Sequence, residues 1–153
     1  MGILYDYFRA PGDDAVRRRL DENDAMSPLD DPFPGIALKT IDPTVILGQL
    51  IAAALGRGWD VDLMKDRLIW PEGGEQDPGH EGPWVTRLSD QARDALAGIP
   101  ADRVPALAEQ WATAEEFHGY GDPEYLREVI TDFIALTMQA GERNEAVYCW
   151  ICL

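Results

Sequence analysis

The residues of this chain best suited to chemistry are two cysteines near its C-terminal end, two histidines, and an acidic glycine-rich segment between two tryptophans. Cys149-Trp150-Ile151-Cys152 is formally a C-x-x-C pair. Such a pair serves redox chemistry when its first cysteine sits at a helix N-terminus, where the dipole stabilises the thiolate. Here it closes the apolar run Ala146 to Leu153, which reads as a strand covered on both faces. Residues three apart on a strand face opposite ways, so the two sulfurs are expected to be packing groups that share neither a disulfide nor a metal. His80 lies among Glu72, Glu75, Asp77 and Glu81, with Trp70 and Trp84 on either side of the segment. Carboxylates around an imidazole could hold a divalent cation or tune a general base, but glycine flexibility raises the cost of fixing ligands, and no metal is assigned. Trp70, Glu72, Glu75, Asp77, His80, Glu81 and Trp84 are therefore expected to form a binding surface. His118 follows Glu115 and Glu116 at a helix end, where an imidazolium suits the dipole and a capping role. Trp111 and Trp150 sit within apolar patterns and are expected to fill the core.

The elements that must position these groups are legible from start and stop signals. Asp122-Pro123 supplies a capping oxygen and a proline at the first helical position. Leu126, Val129, Ile130, Phe133, Ile134, Thr137 and Met138 then recur at helical spacing, and Gly141 is read as the stop. Met1 to Ala10, rich in aromatic and aliphatic residues, reads as a strand pairing with the C-terminal one, ended by Pro11-Gly12. Asp13 and Asp14 offer a cap and first-turn charge for a helix to about Leu20, whose Arg17-Arg18-Arg19 is expected to be solvated. Asp21 to Gly35, with three prolines, is expected to lack regular structure. Asp42-Pro43 opens a second helix over Val45 to Leu55. Trp59 to Trp70 fits a helix or a hairpin. A short strand spans Gly82 to Leu88, Ser89 caps the next helix, and a further helix runs from about Val104 to Phe117.

With 153 residues the chain is of single-domain size, able to bury roughly 68–70% of its unfolded surface without disulfide or metal. Hydrophobic residues at 46% and charged residues at 27% place it among folded globular chains rather than disordered ones. One α+β domain, a small mixed or antiparallel sheet packed with several helices, is the economical architecture over residues 1–153. Neither a membrane span nor a secretory leader is read, and a cytoplasmic setting is expected. The net charge of −15, from 28 acidic and 13 basic residues, repels phosphate backbones and anionic lipid, so no nucleic-acid or membrane partner is expected. That charge serves solubility or steers a basic protein partner. Nucleotide-loop, dinucleotide, zinc-protease and serine-hydrolase motifs do not occur, so no catalytic residue is assigned and no cofactor is expected.

Gly82-Pro83-Trp84-Val85-Thr86-Arg87-Leu88-Ser89, the helix around Trp111, and the helix from Tyr125 followed by Ala146-Val147-Tyr148-Cys149-Trp150-Ile151 together resemble the YfbM-like bacterial proteins, a family of unknown function. The opening Met1-Gly2-Ile3 with Tyr7-Phe8 is similar to that family's first strand, while Asp21 to Pro71 departs more from it, Asp42 to Leu55 within that stretch being similar to its central helix. The resemblance implies an α+β fold in a bacterial cytosol and carries no site residue. The expected function is a non-enzymatic interaction module, immunity- or antitoxin-like, that binds a basic partner. The alternative is a small enzyme or small-molecule binder with a Trp, His and carboxylate pocket.

Overall fold

A computed structural model describes residues 2–153, so Met1, the first residue of the expected opening strand, lies outside the described residues. The strands are β1 (Leu4–Ala10), β2 (Gly35–Lys39), β3 (Arg67–Trp70), β4 (Trp84–Arg87) and β5 (Ala146–Cys152). The helices are α1 (Asp13–Glu22), α2 (Ile46–Ala54), α3 (Asp90–Ala97), α4 (Val104–Ala112) and α5 (Pro123–Glu142). All strands join one open sheet in the order β2-β1-β5-β4-β3, and every pairing is antiparallel. The expected α+β architecture is what forms. β5 is central because it is apolar on both sides: Val147 and Cys149 point into the core beneath α2, α3, α4 and α5, while Tyr148 and Trp150 point into a smaller core with Val16 and Leu20 of α1. Cys149 and Cys152 accordingly join opposite cores and are both free thiols.

The helix starts behave as the sequence indicates. Asp122 accepts from the Glu124 amide at 3.0 Å and Ser89 from the Ala92 amide at 3.1 Å. Asp42 accepts from three successive amides, Thr44, Val45 and Ile46, so its turn leads into α2 at Ile46. Gly12, not an aspartate, occupies the N-cap of α1, and Asp13 in its first turn reaches across to the sheet instead. Gly141 does not stop α5, because glycine only weakens a helix that packing holds. The stop comes at Asn144, which takes the left-handed conformation (φ 54°). Its amide donates to Gly141 and that of Glu145 donates to Ala140, closing the last turn. The buried stripe of α5 also uses Leu136 and Ala140, whereas Met138 is 47% exposed.

The Asn144 geometry yields a paired prediction. Asn144→Gly should leave stability unchanged or raise it by about 0.5 kcal/mol, and Asn144→Val should lower it by about 1–2 kcal/mol, because a β-branched side chain meets the backbone in the left-handed region. Urea denaturation of the two variants reads the difference; equal stabilities would mean that the chain turns here without using that conformation.

The stretch Trp59 to Trp70, open between helix and hairpin, is a set of turns burying Leu63 and Met64 before β3 begins at Arg67. The helix expected to Phe117 ends at Ala112, and a single 3-10 turn covers Glu115–Phe117. Arg17 and Arg19 are not merely solvated: their Nε–H groups donate to the carbonyls of Ile69 and Asp31.

Candidate functional site

The acidic segment between β3 and β4 folds against its own aromatic flanks. Antiparallel pairing puts Trp70 opposite Val85, one residue from Trp84, and the imidazole of His80 stands between the two indoles. Ring centres are 6.3 Å apart for Trp70 and 5.6 Å for Trp84, both edge-on. The His80 Nε2 lies 2.9 Å from the Pro83 carbonyl oxygen. A carbonyl can only accept, so in this contact Nε2 is the donor. Both tryptophans are half-buried rather than exposed, and the Trp70 Nε1–H donates to Asp21 at 3.1 Å.

The acids of this segment do not converge on His80. Glu72 and Glu75 line a depression shared with Arg17 and Arg67. Asp77 caps its own turn by accepting from the Gly79 amide at 3.1 Å, and Glu81 is exposed. Among the described residues no three His, Cys, Asp or Glu side chains are grouped to hold a metal ion. Of the seven expected site residues, the structure brings Trp70, His80 and Trp84 together, and none of the four carboxylates forms a hydrogen bond or ion pair with the His80 imidazole among the described residues.

His118 lies elsewhere, on a cleft of about 280 Å³ that sequence reasoning did not assemble. One wall is Lys39, Thr40 and Ile41, where β2 ends; the other runs from Glu116 to Leu126. His118 and Gly119 both take positive φ (51° and 79°), and their turn swings Tyr120 outward until it is 89% exposed. Gly121 then lies so close to Ala112 that a Cβ would collide with its carbonyl oxygen. Phe117 packs edge-on to Trp111, whose Nε1–H donates to the Ile46 carbonyl at 2.8 Å, so this wall is anchored to α2 and α4. Glu116 Oε2 accepts from Gln49 at 2.7 Å and Asp122 Oδ1 from the Glu124 amide, which leaves one oxygen of each carboxylate without a protein donor among the described residues. The local sign of this place was Gly119-Tyr120-Gly121, an aromatic held between two glycines just before a capped helix.

A third constellation is cationic but internally satisfied. Asp13 Oδ1 accepts from Tyr148 (2.8 Å) and Arg87 (3.0 Å), and its Oδ2 accepts from Arg67 (3.0 Å). Partial burial works to raise the Asp13 pKa, but the hydrogen bonds from Tyr148, Arg87 and Arg67 outweigh it and hold the carboxyl below its ordinary range. Burial, reinforced by the Asp13 hydrogen bond and charge, pushes the Tyr148 phenol well above its own. Arg67 and Arg87 also line a depression with Lys65 and Ser89, yet Asp13 and Asp90 occupy their guanidinium groups.

Fold and site together define an acidic α+β protein with a five-stranded antiparallel sheet and an aromatic cleft beside its β2 edge. No protein-family model, no curated protein and no solved structure matches the chain. No helix among the described residues is long and apolar enough to cross a membrane.

Proposed function

We propose that this protein is a non-enzymatic interaction module whose acidic surface docks a basic protein partner, as an immunity or antitoxin protein does. The observation that carries this reading is the distribution of its charge. Among the described residues, only Asp13, Asp14, Asp31, Asp90, Asp94, Glu109 and Glu145 lie within ion-pair distance of an arginine. Glu72, Glu75, Asp77 and Glu81 on one side and Glu115, Glu116, Asp122 and Glu124 on another are exposed without such partners. Uncompensated charge of one sign on a folded surface steers an oppositely charged partner and suppresses like-charged ones.

The test is retention of proteins from a host lysate on the immobilised chain. Basic proteins should bind at low salt and elute as ionic strength passes roughly 0.15 M, where the Debye length falls to about 8 Å. Finding no salt-sensitive protein would sink the reading. A second reading, a small-molecule binder, is favoured by one feature: the cleft that places His118 with the carboxylates Glu116 and Asp122 on a single concave surface.

A further inference from the structure

We infer that the cleft between Ile41 and Tyr125 is the seat of a single arginine side chain from the basic partner. The inference rests on the interaction reading and names the group that would be recognised. Size is the first argument: about 280 Å³ falls just below small-ligand sites, which span roughly 300–1,000 Å³, and suits one long side chain.

Chemistry is the second. Phe117, Tyr120 and Tyr125 give the cleft aromatic walls, and Glu116 and Asp122 stand on its lining with one carboxylate oxygen each still open. A planar guanidinium can lie on a tyrosine face while its edge donates to a carboxylate, so one arginine uses both features at once. Lysine, a compact and strongly hydrated charge, would use the carboxylates and less of the walls. Lys39 is the one lysine or arginine on the lining, and neither it nor His118 lies within 4 Å of a carboxylate oxygen among the described residues, so Glu116 and Asp122 form no ion pair there.

Exposure is the third. Tyr120 at 89% and Tyr125 at 46% leave two large aromatic rings in water at the mouth of an acidic cleft. Tyrosine and arginine are, with tryptophan, enriched among the side chains that anchor protein interfaces, each burying a large flat surface. An arginine clamped between these walls would bury the rings and bring a matched charge to the two open oxygens.

The full chain should be titrated with a decapeptide of arginine, glycine and serine, with its lysine and citrulline counterparts as arms, by calorimetry and by amide chemical shifts. Saturable binding of the arginine peptide is expected, with shifts centred on His118 to Tyr125, weaker binding of the lysine peptide and none of the citrulline one. Tyr120→Ala should weaken the arginine peptide about 5- to 10-fold, and Glu116→Gln about 3-fold, with thermal stability unchanged because both side chains are exposed. Asp122 is left intact because it caps α5. Affinities within about twofold of wild type in both variants, or shifts centred on Glu72 to Glu81, would overturn the cleft assignment while the interaction reading stood. Failure of the arginine peptide to bind at all would overturn it too, as would a small amine that bound in the cleft where the peptide did not. Only the absence of any salt-sensitive protein partner would remove the interaction reading itself.

Discussion

Phe133→Ala is expected to cost about 3–5 kcal/mol of folding stability. Phe133 lies at the middle of α5, fully buried, where α5 crosses the sheet and meets α3 and α4. Its ring stands edge-on to Tyr7, 4.9 Å between centres and 81° between planes, a geometry that contributes about 0.5–1.5 kcal/mol beyond area burial. Collapse into the resulting space is restrained on both sides. Tyr7 is pinned by its hydroxyl, which donates to the Ile41 carbonyl at 2.7 Å, and by the ladders β1 forms with β2 and β5. Since the cavity term grows with the volume left unfilled, a rigid site sits at the upper end of the range. Phe133→Leu, which keeps most of the volume, should lose only about 1–1.5 kcal/mol. Urea titrations should show lower midpoints at unchanged slope. A loss below about 1 kcal/mol for the alanine variant would mean that α5 is not the centre of the core.

How much of this was legible in the sequence follows from the range of the interactions. The α5 and β5 unit was readable because its signals are local: Asp122 with Pro123 at one end, apolar residues every three or four positions, then an apolar run. Ser89 and Asp42 were readable for the same reason, since a cap acts on amides two to four residues away. The end of α5 was misplaced because Gly141 carries the stronger C-terminal signal, while packing of Leu136, Thr137 and Ala140 carries the helix through it to Asn144.

The site was less legible because its parts are distant in the chain. Lys39 to Ile41 and Glu116 to Leu126 meet only after β2 has paired with β1 and α5 has packed beneath the sheet. Nothing in the spacing of either segment announces the other. The acidic segment around His80, by contrast, drew notice because its acids are neighbours in sequence, yet folding sends Glu72 and Glu75 toward arginines and leaves His80 to the tryptophans. Adjacency in sequence placed like charges together, and like charges do not gather around one group without a cation to hold them.

The least legible feature carries the second large prediction, that Asp13→Ala costs about 2–3 kcal/mol at neutral pH. Asp13 receives donors from residues 54, 74 and 135 positions away, Arg67, Arg87 and Tyr148, and so ties the first turn of α1 to β3, β4 and β5. The alanine variant strands the hydroxyl of buried Tyr148 and one edge of Arg87, while the more exposed Arg67 turns to water and contributes little. Tyr148→Phe removes a single donor and should cost about 1 kcal/mol, and the double variant should lose less than the two single losses combined. The effect should also depend on pH in a definite way. Because the folded Asp13 carboxyl is held below its ordinary range, its stabilisation is complete above the ordinary carboxylate range and is lost as pH falls through the folded value. Tyr148, raised by burial and by Asp13, works in the opposite sense: its stabilisation is complete below the ordinary phenol range and is lost as pH rises through the folded value. The stability difference between wild type and Asp13→Ala should therefore be flat through neutral pH and shrink at both the acid and the alkaline ends of a series of denaturation curves. A difference that stayed constant across the whole series would mean that Asp13 acts through packing and not through its charge.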